Sequence, residues 1–286
     1  MLSLNTNAAA LSAQNSVGST QKALSTSMTR LGTSYRVNSA MDDAAGLQIA
    51  TRLNAQTRGM AVAQRNTQNG ISMMQTAEGA FTEITNILLR MKDLATEAAN
   101  GASNTDDKIA MNSEYQQLAA EIGNIMTNTK FGGQALLKGA GSLGAAAVTF
   151  QIGSAAAETM SVDVSAKLTT LDTGFATGTG NATATSLGEI LTSANATAAI
   201  TQIEDRINKV GAVRADLGAA SNRLDHVYNN LANMKTNTEQ ARGRIMDVDY
   251  ASETANMTSK QMLMQASTAM LKQSSSMSQL VMSLMQ

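Results

Sequence analysis

The chain has no cysteine, no proline and no tryptophan, and only 3% of its 286 residues are aromatic. Without cysteine, neither disulfide stapling nor thiolate metal binding is available. Proline breaks helix interiors by removing an N–H and clashing with the preceding turn, and it usually makes up about 5% of a chain. Its loss over this length points to long uninterrupted helices. With so few aromatics, the core must come from Ala, Leu, Ile, Val and 19 Met, which suits slender helix packing. Charge of either sign is also missing in excess: the formal net charge is −1, which argues against a general nucleic-acid or anionic-membrane binder. No apolar run approaches the roughly 18 residues of a membrane span. Residues 1–21 carry no charge and so lack the basic region of a cleaved secretory signal; by ordinary signals this is a cytoplasmic protein.

What is present is periodic. From about 44 to 99, Leu53, Met60, Thr67, Met74, Phe81, Leu88 and Ala95 fall seven apart, with Ala63, Ala77, Ile84, Met91 and Ala98 between them. This is the a/d stripe of a coiled-coil-like helix. The stretch NGASNTDD breaks it at Asn100 and Gly101, and a shorter amphipathic helix follows with Met111, Tyr115, Leu118, Ile122 and Ile125. Ile203, Val210, Leu217, Leu224 and Leu231 repeat the spacing, with Val213, Ala220, Val227 and Met234 interleaved. Three such helices can bury their stripes in one elongated antiparallel bundle. Between them, KFGGQALLKG predicts a Gly-Gly turn. VTFQI and MSVDV then alternate apolar and polar, predicting a β-hairpin with Val148, Phe150, Ile152, Met160, Val162 and Val164 on one face. The small polar stretch TTLDTGFATGTGNATATS, 169–186, reads as a short surface loop. The fold class is mainly α with a small β-hairpin region.

Both tails combine an apolar stripe with little charge. Leu4 and Leu11, then Val17, Leu24 and Leu31, lie seven apart, as do Leu263, Met270, Met277 and Leu284, and residues 273–286 are uncharged. Pairing the N- and C-terminal helices buries too few large side chains to offset the backbone entropy of ordering both. Burial against further copies supplies the rest, so these nine residues are read as a polymerisation stripe, in tails that order on assembly.

Candidate chemistry is sparse. His226 is the sole histidine, and with no second His and no Cys it lacks partners for a metal or base site. Asp42 and Asp43 follow Ser39 in the [ST]-x-x-[DE] pattern of a helix start and are read as capping residues, not a carboxylate pair. Asp247, Asp249 and Glu253 lack the glycine and length of a calcium loop, and Asp249 reads as the N-cap of the last helix. No phosphate-binding glycine pattern is present. Asn181, Asn195 and Asn256 match the glycosylation pattern at chance level. The expectation is no enzyme, no cofactor and no metal.

The stretches LSLNTNAAALSAQ, RVNSAMDDAAGLQIATRL, NGISMMQTAEGAF, LLRMKDLATEAANG and ARGRIMDVDYASETANMTSKQMLMQA together resemble bacterial flagellin, in the right order and over nearly all of 1–165 and about 187–286. The resemblance implies a terminal helical coiled coil (1–40 with 248–286) lining a filament, an α-helical rod (41–168 with 187–247) carrying the hairpin at about 131–165, and an outer region reduced to 169–186. It implies a structural subunit that polymerises for motility, located outside the cell, which revises the cytoplasmic reading: such proteins leave through the flagellar type III export channel without a cleaved signal. Implied partners are many copies of the chain, an export chaperone, cap and junction proteins, and host flagellin receptors. Arg90, Leu94 and Glu114 match positions through which flagellins engage the flagellin-sensing Toll-like receptor or pack in the rod, with Leu89 and Asp93 replacing the usual Gln and Glu. Leu280, Val281 and Leu284 fall in the terminal segment read by the chaperone and cytosolic sensors, where Met282 and Met285 join them and the usual proline is absent. A hook-filament junction protein and a monomeric secreted coiled-coil adhesin or immune-active protein are the alternatives.

Overall fold

The computed structural model describes residues 8–138, 143–175 and 188–284, with side chains described except at 9, 173–175 and 277–284. Among these, six helices and four short strands follow in the order α1 (Ala8–Thr33), α2 (Ala44–Ala99), α3 (Thr105–Asn128), β1 (Lys130–Phe131), β2 (Gln134–Ala135), β3 (Val148–Gln151), β4 (Thr159–Val162), α4 (Ser165–Phe175), α5 (Ser193–Met246) and α6 (Tyr250–Leu284). The mainly helical fold expected from the proline-free heptads is present. The chain divides into two compact units, one of residues 58–235 and one of 1–57 with 236–286; α2 and α5 contribute to both.

In the unit of 58–235, the seven-residue line of α2 is buried from Met60 through Thr67, Met74, Phe81, Leu88 and Ala95. On α5, Ile203, Val210, Val213, Leu217, Ala220, Leu224 and Leu231 are buried in the same way. The last cluster joins Met60, Ala63 and Leu231, with Val227 packed on it; Met234, expected on the stripe, is exposed. α3 adds Tyr115, Ala119, Ile122 and Met126. Its start is fixed where the sequence breaks: Asn104 and Asp107 form a reciprocal capping box.

Gly132 and Gly133 turn β1 into β2 with φ of 59° and 84°, the left-handed geometry that a two-residue hairpin turn of this hand requires. β3 and β4 pair antiparallel with Val148 opposite Val162 and Phe150 opposite Met160, so the predicted face is real; Met160, Val162 and Val164 are buried. Glycines on α2 let this hairpin approach. A Cβ on Gly59 would lie 2.7 Å from the Ser154 Cβ, and one on Gly70 would lie 3.1 Å from the Phe150 ring.

The expected loop at 169–186 is corrected over its first part. Residues 169–175 complete α4, because Leu168 and Leu171 are both buried and packing overrides the weak helix propensity of the threonines. Asp163 precedes the helix and accepts from the Ser165 N–H and hydroxyl. The rest of that stretch lies outside the described residues up to 187.

In the other unit, α1 packs antiparallel on α6. Behind α1, Ser34 takes a positive φ of 65°, the Arg36 N–H donates to the Met246 carbonyl at 2.6 Å, and the Val248 N–H donates to the Ser34 carbonyl at 3.1 Å. Tyr35 and Asp247 thus form an isolated antiparallel bridge that ties the segment after α1 to the segment before α6.

Candidate assembly surface

The α1–α6 contact is a two-stranded seam with alternating spacings of three and four residues. On α1 the covered positions include Ala10, Ala13, Val17, Thr20, Leu24, Ser27 and Leu31; on α6 they include Glu253, Met257, Lys260, Met264, Ser267, Leu271 and Ser274. Each helix therefore presents one line of larger apolar side chains and one small or polar line. The polar lines meet specifically: Lys260 Nζ donates to the Ser27 Oγ at 2.8 Å, and Ser27 is fully buried. Arg30 lies 3.9 Å from both Asp42 and the buried Glu253, and the Ser34 hydroxyl hydrogen-bonds the Tyr250 phenol. A buried polar group without a partner is costly, so such contacts set register. The apolar stripe gave no hint of them, although Glu253, Lys260, Ser267 and Ser274 are themselves seven apart.

The seam divides the expected polymerisation stripe. Val17, Leu24 and Leu31 lie on it. Leu11 is off it and 63% exposed, and on α6 Leu263 and Met270 are 55% and 67% exposed, so these two side chains do not serve α1. Met28 at 58% and Met262 at 61% add to the uncovered apolar surface. Leu4 lies outside the described residues. The side chains of Met277, Leu280, Val281 and Leu284 also lie outside them.

Around these helices, carboxylates act as caps. Asp249 accepts from the Ala251 N–H and the Ser252 hydroxyl at the start of α6, as expected. Its hydrogen bonds, that of Ser252 first, hold its pKa below the ordinary value. The reading of Ser39 with Asp42 as the start of α2 is corrected. Asp42 Oδ2 accepts from the Asn38 and Ser39 N–H groups and so closes the turn before the helix; the true N-cap is Asp43, whose carboxylate accepts from the Gly46 N–H at 2.8 Å. The Ser39 and Asn38 backbone bonds lower the Asp42 pKa.

In the unit of 58–235, Arg90 and Glu114 pair at 2.8 Å between α2 and α3, both half exposed. Leu94, expected beside them on a contact face, is 3% exposed and belongs to the core; the exposed apolar neighbour is Leu89. Behind this pair, the buried Tyr115 has its pKa pushed up to about 12 by desolvation. Burial also lowers the pKa of nearby Arg206. His226 is exposed on α5. Among the described residues, no group of His, Asp and Glu could hold a metal ion, and no helix is long and apolar enough to cross a membrane. Asn195 lies in the first turn of α5 and Asn256 on α6, whereas Asn181 falls outside the described residues.

Residues 4–142 match the model of the bacterial flagellin N-terminal helical region, and residues 200–285 match that of the C-terminal helical region. A flagellin of Halalkalibacterium halodurans is 38% identical over 282 residues, covering 99% of both chains. The chain belongs to the bacterial flagellin family. Flagellin A of Vibrio cholerae is 33% identical over 381 aligned positions, covering 100% of both chains. Among solved structures, a putative flagellar hook-associated protein from Vibrio parahaemolyticus superposes with a TM-score of 0.56 at 18% identity, covering 72% of this chain and all of that one. At that identity the likeness concerns the fold. A Bacillus cereus flagellin is 36% identical with a TM-score of 0.49, over 58% of this chain and 88% of that chain. As a flagellin, this chain is a structural, non-enzymatic subunit of the extracellular flagellar filament, in which many copies polymerise.

Proposed function

We propose that this flagellin joins its filament through the apolar positions that the α1–α6 seam leaves uncovered, with Leu11, Leu263 and Met270 at the centre of the contact and Met28 and Met262 beside them. The observation that carries the reading is the division of the stripe: one set of large side chains is consumed inside the chain, while a second, at the same seven-residue spacing on α6, is solvent-exposed. Exposed apolar positions concentrated on two paired helices call for a partner, and in a family of polymerising subunits the partner is another copy. Leu4, Met277 and Leu284 extend the same spacing in sequence. On this reading, residues 1–40 with 248–286 line the filament, 41–168 with 187–247 form the rod, and the subunit leaves the cell through the type III channel without a cleaved signal. Leu280, Val281 and Leu284 are offered to the export chaperone, and the filament meets cap and junction proteins at its ends. Arg90 and Glu114, with Leu89 in place of the buried Leu94, form the surface offered to a neighbouring subunit or a host receptor.

The test is seeded growth. Purified subunit is heat-dissociated, cooled with short filament seeds and followed by negative-stain microscopy. The parent is expected to elongate the seeds. Leu263→Asp and Met270→Asp place an unpaired carboxylate in the contact, a change costing several kcal/mol when buried, and are expected to abolish elongation while the 58–235 unit keeps its unfolding transition. Normal filaments from both variants would show that the stripe is not an assembly contact. A parent that stays monomeric under conditions that elongate other flagellins would instead favour the junction or secreted-monomer alternatives.

A further inference from the structure

We propose that Met28, Met262 and Met270 are peroxide-sensitive modification sites, at which conversion of the thioethers to sulfoxides stops the free subunit from adding to the filament. The inference rests on the assembly reading above and adds chemistry to it. The chain carries 19 methionines, and the structure sorts them. Met60, Met74, Met91, Met126 and Met160 are buried in the core, where an oxidant does not reach. Met28, Met262 and Met270 stand exposed on α1 and α6, among the positions that assembly covers. A thioether is a good apolar contact because it is soft and flexible; its sulfoxide is polar and carries a strong acceptor oxygen, so it disrupts methionine-rich interfaces.

The reaction balances with a peroxide as oxidant. A methionine sulfur lone pair attacks one peroxide oxygen, the O–O bond breaks as the S–O bond forms, and the departing hydroxide takes the proton from the transferred oxygen and leaves as water. Sulfur is oxidised by two electrons and the peroxide is reduced. Because methionine sulfoxide is reducible enzymatically, the block is reversible. Once a subunit is in the filament, the same sulfurs are covered, so assembled and free chains differ in sensitivity.

The experiment treats free subunit and preformed filaments with equal hydrogen peroxide, maps each methionine by peptide mass spectrometry, and measures seeded elongation. In free subunit, Met28, Met262 and Met270 are expected to oxidise ahead of the core methionines, and elongation to fall by about tenfold or more. In filaments the three are expected to be protected. Equal oxidation in both forms would overturn the proposal; the assembly reading is decided separately, by whether untreated Leu263→Asp and Met270→Asp subunits elongate the seeds. Reduction by the two stereospecific sulfoxide reductases restores growth if the proposal holds; complete reduction without recovery counts against it. A triple Met→Leu variant at 28, 262 and 270 should elongate after peroxide, whereas a Met41→Leu/Met234→Leu variant, altered at exposed methionines elsewhere, should remain as sensitive as the parent. The reverse result would sink the idea, and the protection map decides it if the triple variant does not assemble.

Discussion

Single residues in this chain show where pattern reading succeeds and where only geometry decides. Tyr115 is fully buried, and its hydroxyl has no hydrogen-bond partner among the described residues. The ring packs, but the hydroxyl is desolvated without compensation. Tyr115→Phe keeps the ring and removes the unsatisfied group, so stability in urea unfolding is expected to rise by about 1 kcal/mol; a loss of that size would show that the hydroxyl is satisfied in solution. The turn carboxylate Asp42 and the cap Asp249 carry a pH dependence. Asp42 and Asp249 have folded pKa values below the ordinary 3.8, so their contribution is complete above that value and is lost as pH falls through the lowered folded values. Helicity of the α1–α6 pair is therefore expected to decline only at strongly acid pH, and Asp249→Asn is expected to remove part of that acid dependence in a circular dichroism titration. An Asn variant with an unchanged acid limb would exclude Asp249 as a contributor. That carboxylates here cap and do not catalyse was legible from their spacing. Which of two adjacent aspartates caps α2 was not, because the [ST]-x-x-[DE] pattern singles out Asp42 whereas the reach of Asp43 to the Gly46 N–H makes Asp43 the cap. Leu94 misled for a similar reason: a matched motif carries a position, whereas burial is set by which helix face the core occupies.

At the scale of elements, periodicity located the long helices because a stripe buried over many turns leaves its spacing in the sequence. It could not say which partner each stripe meets. On α6 the in-chain seam runs through Glu253, Lys260, Ser267 and Ser274 as well as Met257, Met264 and Leu271, while the more apolar Leu263 and Met270 point elsewhere. Hydrophobicity alone ranks these two lines in the wrong order for intramolecular packing. α4 was hidden by composition, since two buried leucines outweigh the threonines and glycine around them. The glycines of α2 give a sharper case. Gly79 faces open space, whereas Gly59 abuts the Cα and Cβ of Ser154. Removing a helical glycine gains roughly 0.5–1 kcal/mol, so Gly79→Ala is expected to raise the stability of the isolated subunit by that amount. At Gly59 the same change pushes on backbone that cannot swing aside, and Gly59→Ala is expected to lower stability and raise hydrogen exchange in β3 and β4. If both substitutions stabilise equally, the hairpin does not depend on the close approach at Gly59.

For the whole molecule, the contrast between the two units decides how the chain behaves alone and in the filament. The 58–235 unit buries continuous lines of Leu, Ile, Val, Met and Phe from α2, α3 and α5 and has what it needs for independent stability. The α1–α6 pair buries a thinner seam, with Ala10, Ala13, Thr20, Ser27, Ser267 and Ser274 among its covered positions, and leaves Leu11, Met28, Met262, Leu263 and Met270 in solvent. Fixing a residue's backbone costs about 1–2 kcal/mol, and small side chains return little of it. The pair is held by the Lys260–Ser27 contact and the Tyr35–Asp247 bridge, and on the proposed assembly reading its helicity depends on a neighbour covering Leu11, Leu263 and Met270. On that reading assembly supplies the cover and shifts the equilibrium toward helix. Circular dichroism of equal concentrations of subunit and filament is expected to show higher helicity in the filament, with hydrogen exchange placing the gain in α1 and the later turns of α6. Lys260→Ala, which strands the buried Ser27 hydroxyl, is expected to widen the difference by lowering the helicity of the free subunit. Equal helicity in the two states would mean that the seam alone suffices, and the uncovered stripe would then serve the neighbour's stability and not its own.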